Sequence, residues 1–292
     1  MCVECAYTIT YDVYITDTNR IFQCAHLHQQ NNKMLRILAT AMVLAATEAA
    51  KLTSDELSSS IRLVQLGDWG GTENPPYSTP SQRDTAAGMG TVGEEISAQY
   101  VLALGDNFYH SGVGDTCTDP RFEETWNSVY TAPSMMIPWL VNAGNHDHNG
   151  NVTSQIAYTQ ISDRWIFPAL YHKRTLYSDD GSLSVDIILM DTTTYTGINS
   201  GGNYPASPAD PTQQQWIEDS LKYSIADYII VGSHYPVYSV CEHGNVLTMV
   251  NNIKPLLEKY NAHLMSGHDH CVEHFVVNDI NYWLNGIGHG CW

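Results

Sequence analysis

Positive charge is scarce in this chain of 292 residues. Lys and Arg together number 13 against 31 Asp and Glu, and the formal net charge at pH 7 is -18. That balance excludes nucleic acid and anionic membranes as expected partners. An anionic substrate would need a local source of positive charge. Long apolar runs are missing too. The run at residues 37–46 is too short to span a bilayer. Cys2 and Cys5 have the CxxC spacing, but no second pair with zinc-ligand spacing follows, so a structural zinc site is not expected. No internal repeat and no low-complexity tract is present. Phe is sparse at 5 against 18 Tyr, which fits half-buried aromatics.

Hydrophobic residues make up 43%, enough for a core, and the length suits one large α/β domain or two small ones. The 13 His equal Lys plus Arg in number, and His is the commonest metal ligand. Residues 34–50 have the layout of a secretory signal peptide: Arg36, a short apolar stretch, then small residues. Met34 is then the expected start, and 1–33 an extension or an over-long gene model. On that reading Cys2, Cys5 and Cys24 are absent from the mature protein. Cys117, Cys241, Cys271 and Cys291 remain in an oxidising compartment, their pairing unreadable from sequence.

From residue 61 onward strands alternate with helices, which favours an α/β layered sheet. Short apolar runs predict strands at 61–67, 136–144, 182–191, 227–233 and 262–267. Residues 93–105 read as a helix running into a further strand. Helices are expected at 121–130, 212–225 and 246–260, the last bent or shortened by Pro255. Residues 196–211 read as a long surface loop.

The strand ends carry the chemistry. Each is near a glycine, and each delivers a metal-capable side chain: "GDWGG" gives Asp68, "GDNFY" gives Asp106 and Tyr109, "GNHDH" gives Asn145 and His146, "GSHYP" gives His234, and "GHDH" gives His268 and His270. Singly they have plain structural readings: a helix cap at Asp68, a turn at Asn145, a packed ring at His234. Together and in order they do not, because the carboxyl ends of strands in an α/β sheet lie along one edge, where ligands bind. Asp68, Asp106 and a phenolate from Tyr109 suit a hard ion such as Fe(III). Imidazoles and an amide oxygen suit a softer divalent ion. A pair of such ions would clamp the oxygens of a phosphoryl transfer and supply the missing positive charge.

In these motifs the chain resembles the calcineurin-like metallophosphoesterases. With Tyr109 in place it is similar to one branch, the purple, tartrate-resistant acid phosphatases. The likeness runs from about residue 61 to about 286. It implies a two-sheet β-sandwich flanked by helices, and hydrolysis of phosphate monoesters at acid pH with a metal-bound hydroxide as nucleophile. It implies Fe(III) on Asp68, Asp106, Tyr109 and His270. It implies a divalent metal (Fe(II), Zn or Mn) on bridging Asp106, Asn145, His234 and His268. His146 and His243 would act as catalytic groups, and Asn145, His146, Glu242 and His243 would line the substrate side. Asp147 would orient its neighbours, whereas His148, His274 and His289 read as structural. Asn151 in "NVT" is a glycosylation acceptor. Expected substrates are small phosphate monoesters or phosphoproteins, met by a monomer that is secreted or lysosomal/vacuolar.

Two departures stand out. The chain stops at "NYWLNGIGHGCW", so the domain at 61–292 is expected to lack the family's last strands and to leave an open sheet edge or an apolar surface. Cys271 replaces the usual residue after His270, and pairs with Cys117, Cys241 or Cys291 or stays a free thiol. The alternatives to a phosphatase are a metallophosphodiesterase of the same superfamily and a non-catalytic secreted metal-binding protein.

Overall fold

The computed structural model describes residues 7–16, 20–29, 53–198 and 210–290, the first two segments as backbone only. Residues 34–50, Cys2, Cys5, Cys291 and most of the expected loop at 196–211 lie outside the described residues.

Two six-stranded sheets face each other. In the first, β3 (Ile61–Leu66), β4 (Tyr100–Leu104), β5 (Trp139–Asn142) and β6 (Trp165–Ile166) are parallel neighbours. In the second, β7 (His172–Tyr177) pairs antiparallel with β8 (Ser184–Leu189), which runs parallel to β9 (Tyr228–Gly232) and then β10 (His263–Ser266). The hairpin of β11 (Val272–Val277) and β12 (Ile280–Asn285) completes that sheet, with β12 parallel to β10. Two further strands continue the first sheet beyond β3. There β1 (Tyr7–Thr16) pairs antiparallel, Asp12 opposite Val64 and Ile15 opposite Ile61, and β2 (Arg20–Gln29) lies beyond it.

Burial explains the strands. Every residue of β3 and β5 is buried, as a strand covered on both faces requires. Ile61, Leu63, Leu102, Leu104, Val185, Ile187, Ile230 and Trp283 fill the space between the sheets. Outside the first sheet lies an aromatic core built from Trp69, Phe108, Trp126, Trp139 and Trp165. Outside the second lies a mostly aliphatic core with Ile188, Ile217, Val231, Leu257 and Leu264.

Three expectations about helices are revised. The helix before β4 ends where it was expected to begin: α2 spans Pro80–Glu95, after α1 (Ser54–Ser58), with Thr79 accepting from the Gln82 N–H as N-cap. Its buried face is partly glycine, which hides the apolar period. A Cβ on Gly90 would meet the Ala132 Cβ at 2.6 Å, and one on Gly93 the Met135 Cε at 2.3 Å. The segment at 121–130 forms a wide π-type turn, Phe122–Asn127, rather than an α-helix. At 246–260 a π-type turn (Met249–Ile253) runs without a break into the α-helix Lys254–Tyr260, and Pro255, which cannot donate to the preceding turn, lies where the pitch changes. The remaining helices are α3 (Val152–Tyr158), α4 (Thr192–Thr196) and α5 (Pro211–Lys222).

Candidate metal centre

The parallel strands β3, β4 and β5 end side by side, as do β9 and β10 across the sandwich. Asp68 follows β3, Asp106 and Tyr109 follow β4, and Asn145 and His146 follow β5. His234 follows β9; His268 and His270 follow β10. Tight turns aim them. Gly105 has φ +83°, and Asp68, Asp106 and His268 themselves have φ of 59°, 49° and 75°. For side chains other than glycine that region is sparsely populated and costs roughly 1–3 kcal/mol each, so it persists only where the surroundings enforce it.

The sequence-selected residues converge. The Tyr109 hydroxyl donates to Asp68 Oδ1 at 3.0 Å and lies 2.9 Å from His270 Nε2. His270 Nε2 is 3.4 Å from the same Asp68 oxygen. On the other side His234 Nε2 is 2.9 Å from Asn145 Oδ1 and 3.5 Å from Asp106 Oδ1. Potential donor atoms of Asp68, Asp106 and His234 all lie within 4.8 Å of one another, which joins the two groups through Asp106. His234 Nδ1 donates to the Leu104 carbonyl at 2.9 Å, a partner that leaves Nε2 as the free lone pair. The His268 N–H donates to Asp68 Oδ2 at 2.6 Å, and its ring lies 5.1 Å from that of His234.

Asp68 and His234 are fully buried, and Asp106, Tyr109, Asn145 and His270 nearly so. Burial, with Asp106 adding to it, pushes the Asp68 carboxyl up to about 8. Burial also drives the Tyr109 phenol well above its ordinary value, the Asp68 and Asp106 charges adding to the effect. For Asp106 burial acts upward, but His234 and His146 outweigh it and hold the carboxyl below the usual range. Burial lowers the His270 imidazole to about 4. Among the described residues the ion-pair partners of Asp68 and Asp106 are all histidines. Two carboxylates and a phenol brought together out of water, with no Lys or Arg against them, form an arrangement that cations stabilise.

The backbone leaves room for the donors and for little else. A Cβ on Gly144 would sit 2.2 Å from Asp106 Oδ1, and one on Gly267 2.6 Å from Asp68 Oδ2. The donor set therefore fits a pair of cations: oxygen-rich around Asp68 and Tyr109, nitrogen-rich around His234 and His268.

Around this centre, Asp147 accepts from the N–H groups of Asn107 and Gly144 and from Gln155, so it fixes the turns that carry Asp106 and Asn145. Burial, then Asp106, pushes its carboxyl up to about 6. His146 is half-buried; its N–H donates to Asp106 Oδ1 at 2.9 Å, and its Nδ1 is 2.8 Å from the His110 carbonyl. His243 is exposed and stacks on His268, ring centroids 4.5 Å apart, with Glu242 exposed beside it. His148 pairs with Asp191 at 2.6 Å, and His274 stacks on Trp283. His289 is closer to the centre than the sequence implied, its ring 5.2 Å from that of Tyr109. Asn151 caps α3, its Oδ1 accepting from Ser154, and its amide donates to Asp115 at 3.2 Å.

Two features were not readable from sequence. Asp269, between the two histidines of "GHDH", is fully buried and accepts from Ser239, His243 and Gly244. Cys271 is disulfide-bonded to Cys241, which closes the three alternatives and removes the free thiol, while Cys117 stays unpaired.

A family model described as calcineurin-like phosphoesterase matches residues 61–272. The chain is 38% identical over 265 residues to tartrate-resistant acid phosphatase type 5 of Oryctolagus cuniculus, covering 87% of this chain and 79% of that protein. It is 28% identical over 258 residues to purple acid phosphatase 3 of Arabidopsis thaliana, covering 82% of this chain and 66% of that one. Among solved structures, GAP50, the anchor in the inner membrane complex of Plasmodium, superposes with a TM-score of 0.67 at 24% identity. That match covers 78% of this chain and 72% of the other, and is a likeness of fold.

Proposed function

This chain belongs to the calcineurin-like phosphoesterase family, in the company of the purple, tartrate-resistant acid phosphatases, and from that premise we propose that it hydrolyses phosphate monoesters at acid pH at a binuclear Fe(III)–M(II) centre. Hydrolysis of a phosphate ester follows from the membership. The monoester, the acid optimum and the pair of metals are the proposal. The observation that carries it is the convergence of Asp68, Tyr109 and His270 on one side of Asp106, and of Asn145 and His234 on the other.

Asp68, Asp106, Tyr109 and His270 would hold Fe(III). Asp106, Asn145, His234 and His268 would hold the divalent ion, Fe(II), Zn or Mn. When bound, the two ions supply Lewis acidity toward the phosphate and the attacking water. The protein's own groups do the rest. His146 donates its Nδ1 hydrogen to the His110 carbonyl, which orients the ring. Burial opposes protonation of that ring, whereas the Asp106 charge and the His110 carbonyl favour it. A cationic His146 binds a phosphate oxygen. His243, exposed on the rim, gives a proton to the departing alkoxide. Glu242 lines the same side.

Substrates are small phosphate monoesters or phosphoproteins, and the protein acts as a monomer, secreted or lysosomal/vacuolar and glycosylated at Asn151. The Cys241–Cys271 disulfide supports an oxidising compartment. No helix among the described residues is long and apolar enough to cross a membrane.

The test compares p-nitrophenyl phosphate with bis(p-nitrophenyl) phosphate across acid and neutral pH, with metal content and the visible spectrum recorded on the same sample. A broad charge-transfer band and preference for the monoester in acid are expected. Preference for the diester, or a folded colourless protein, overturns the reading.

A further inference from the structure

The chain after His268 grips the substrate-side loop at alternate residues. Asp269 Oδ1 accepts the His243 N–H at 2.9 Å; its Oδ2 accepts the Ser239 hydroxyl at 2.6 Å and the Gly244 N–H at 3.2 Å. Cys271 is bonded to Cys241, with Cα atoms 6.7 Å apart. Glu273 accepts the Val240 N–H at 3.0 Å. Residues 268–271 form a tight turn, the Cys271 N–H donating to the Asp269 carbonyl at 2.7 Å, before β11 begins at Val272. Within the loop the Cys241 N–H donates to Ser239 Oγ, and the Ser239 N–H to Asn245 Oδ1. Of the exposed residues in this stretch, His243 stacks on the His268 ring, with Glu242 exposed beside it.

We propose that Asp269 and the Cys241–Cys271 disulfide are positioning elements that lock residues 239–245 onto the turn carrying His268 and His270, and so fix His243 where it protonates the leaving group. The proposal rests on the phosphatase reading for its catalytic consequence, but the clamp itself does not. Asp269 touches no substrate. It satisfies three donors at once from a fully buried position, so loss of one carboxylate oxygen leaves a buried N–H or hydroxyl without its partner. The disulfide fixes the other side of His243. Each tie is local to the loop, so each can be cut while the metal ligands keep their own side chains.

The experiment uses the full chain, metal-loaded, as wild type, Asp269→Asn, the paired Cys241→Ala/Cys271→Ala, and all three substitutions combined. An alkyl phosphate monoester needs a proton on its leaving oxygen, whereas p-nitrophenolate leaves without one. The expected result is a loss of kcat/KM on the alkyl ester of about 10-fold for each variant, a size typical of outer-sphere positioning changes. Loss on p-nitrophenyl phosphate is smaller, and metal content is that of wild type. Amide exchange at His243 and Gly244 should accelerate, most in the combined variant. Equal losses on the two esters, or unaltered exchange at His243 and Gly244, overturn the proposal. If wild type hydrolyses neither ester, the phosphatase reading fails, and amide exchange alone decides the clamp. The cysteine pair is a second, chemically different cut of the same clamp, and the metal content of each variant shows whether His268 and His270 keep their places.

Discussion

The two sheets contribute unlike halves to one centre. The first delivers oxygen: Asp68, Asp106, Tyr109 and the Asn145 amide. The second delivers nitrogen: His234, His268 and His270. They also secure their residues differently. On the first sheet the ligands are flanked in sequence by aromatic anchors. Trp69 follows Asp68 and packs against Phe108, Tyr130, Trp139 and Trp165; Phe108 precedes Tyr109 and packs edge-on to Phe122. On the second sheet polar ties and a disulfide hold the equivalent turn. The lesson concerns rigidity. Aromatic packing is strong but needs buried volume, whereas the second sheet's turn lies under a loop that exposes Glu242 and His243. Hydrogen bonds and a covalent link hold it in little space.

The comparison is broken most severely at its hinge. Asp106→Ala removes the group shared by both halves, and metal content and activity should both be lost; near-wild-type turnover would refute the bridging role. Next comes a contrast between the outer cores. Trp69→Ala should cost about 3–5 kcal/mol and Leu257→Ala about 2–5 kcal/mol, read by denaturant unfolding. Only Trp69→Ala should also alter the visible spectrum of the loaded protein, since only its backbone continues into a ligand. Equal spectral changes would mean the aromatic core does not position Asp68. Tyr109→Phe sharpens the division further. It removes one anion from the oxygen-rich half, so the charge-transfer band should vanish while the fold survives and the nitrogen-rich half keeps its metal. Loss of both metals together would show that the halves are not separable.

The smallest effect links the halves through His148 of the first sheet and Asp191 of the second. Burial opposes the His148 charge, but the Asp191 carboxylate outweighs it and raises the imidazole above its ordinary value. A folded-state value above the unfolded one gives stability that is complete below about pH 6.5 and fades as pH rises through the raised value. His148→Gln should therefore lower the melting temperature in acid and matter least in alkali. A deficit that grows toward alkaline pH would contradict that sign.

The convergence of these side chains was legible because each candidate donor is written locally, as glycine plus donor at the end of an apolar run. The order of the strands was less so. β7 buries only His172 and Leu176 and exposes its other residues, and β11 is half-exposed, so neither forms an apolar run. The glycine-rich buried face of α2 hid its start. Asp269 was hidden for a different reason. Its partners, Ser239, His243 and Gly244, lie about thirty residues back in the chain, and two histidines beside it already explain the motif. The choice of Cys241 for Cys271 was a matter of distance in space, on which spacing in sequence is silent.

Asp68, Asp106 and His268 hold left-handed backbone conformations that their side chains do not favour. Metal binding would repay that cost, and stripping it would leave the turns free to relax toward commoner geometry. The history of a sample then matters as much as its sequence. Protein exposed to chelator during purification and reloaded afterward should return to full occupancy more slowly than protein loaded as it folds, and a batch's age in metal-free buffer becomes a variable to record.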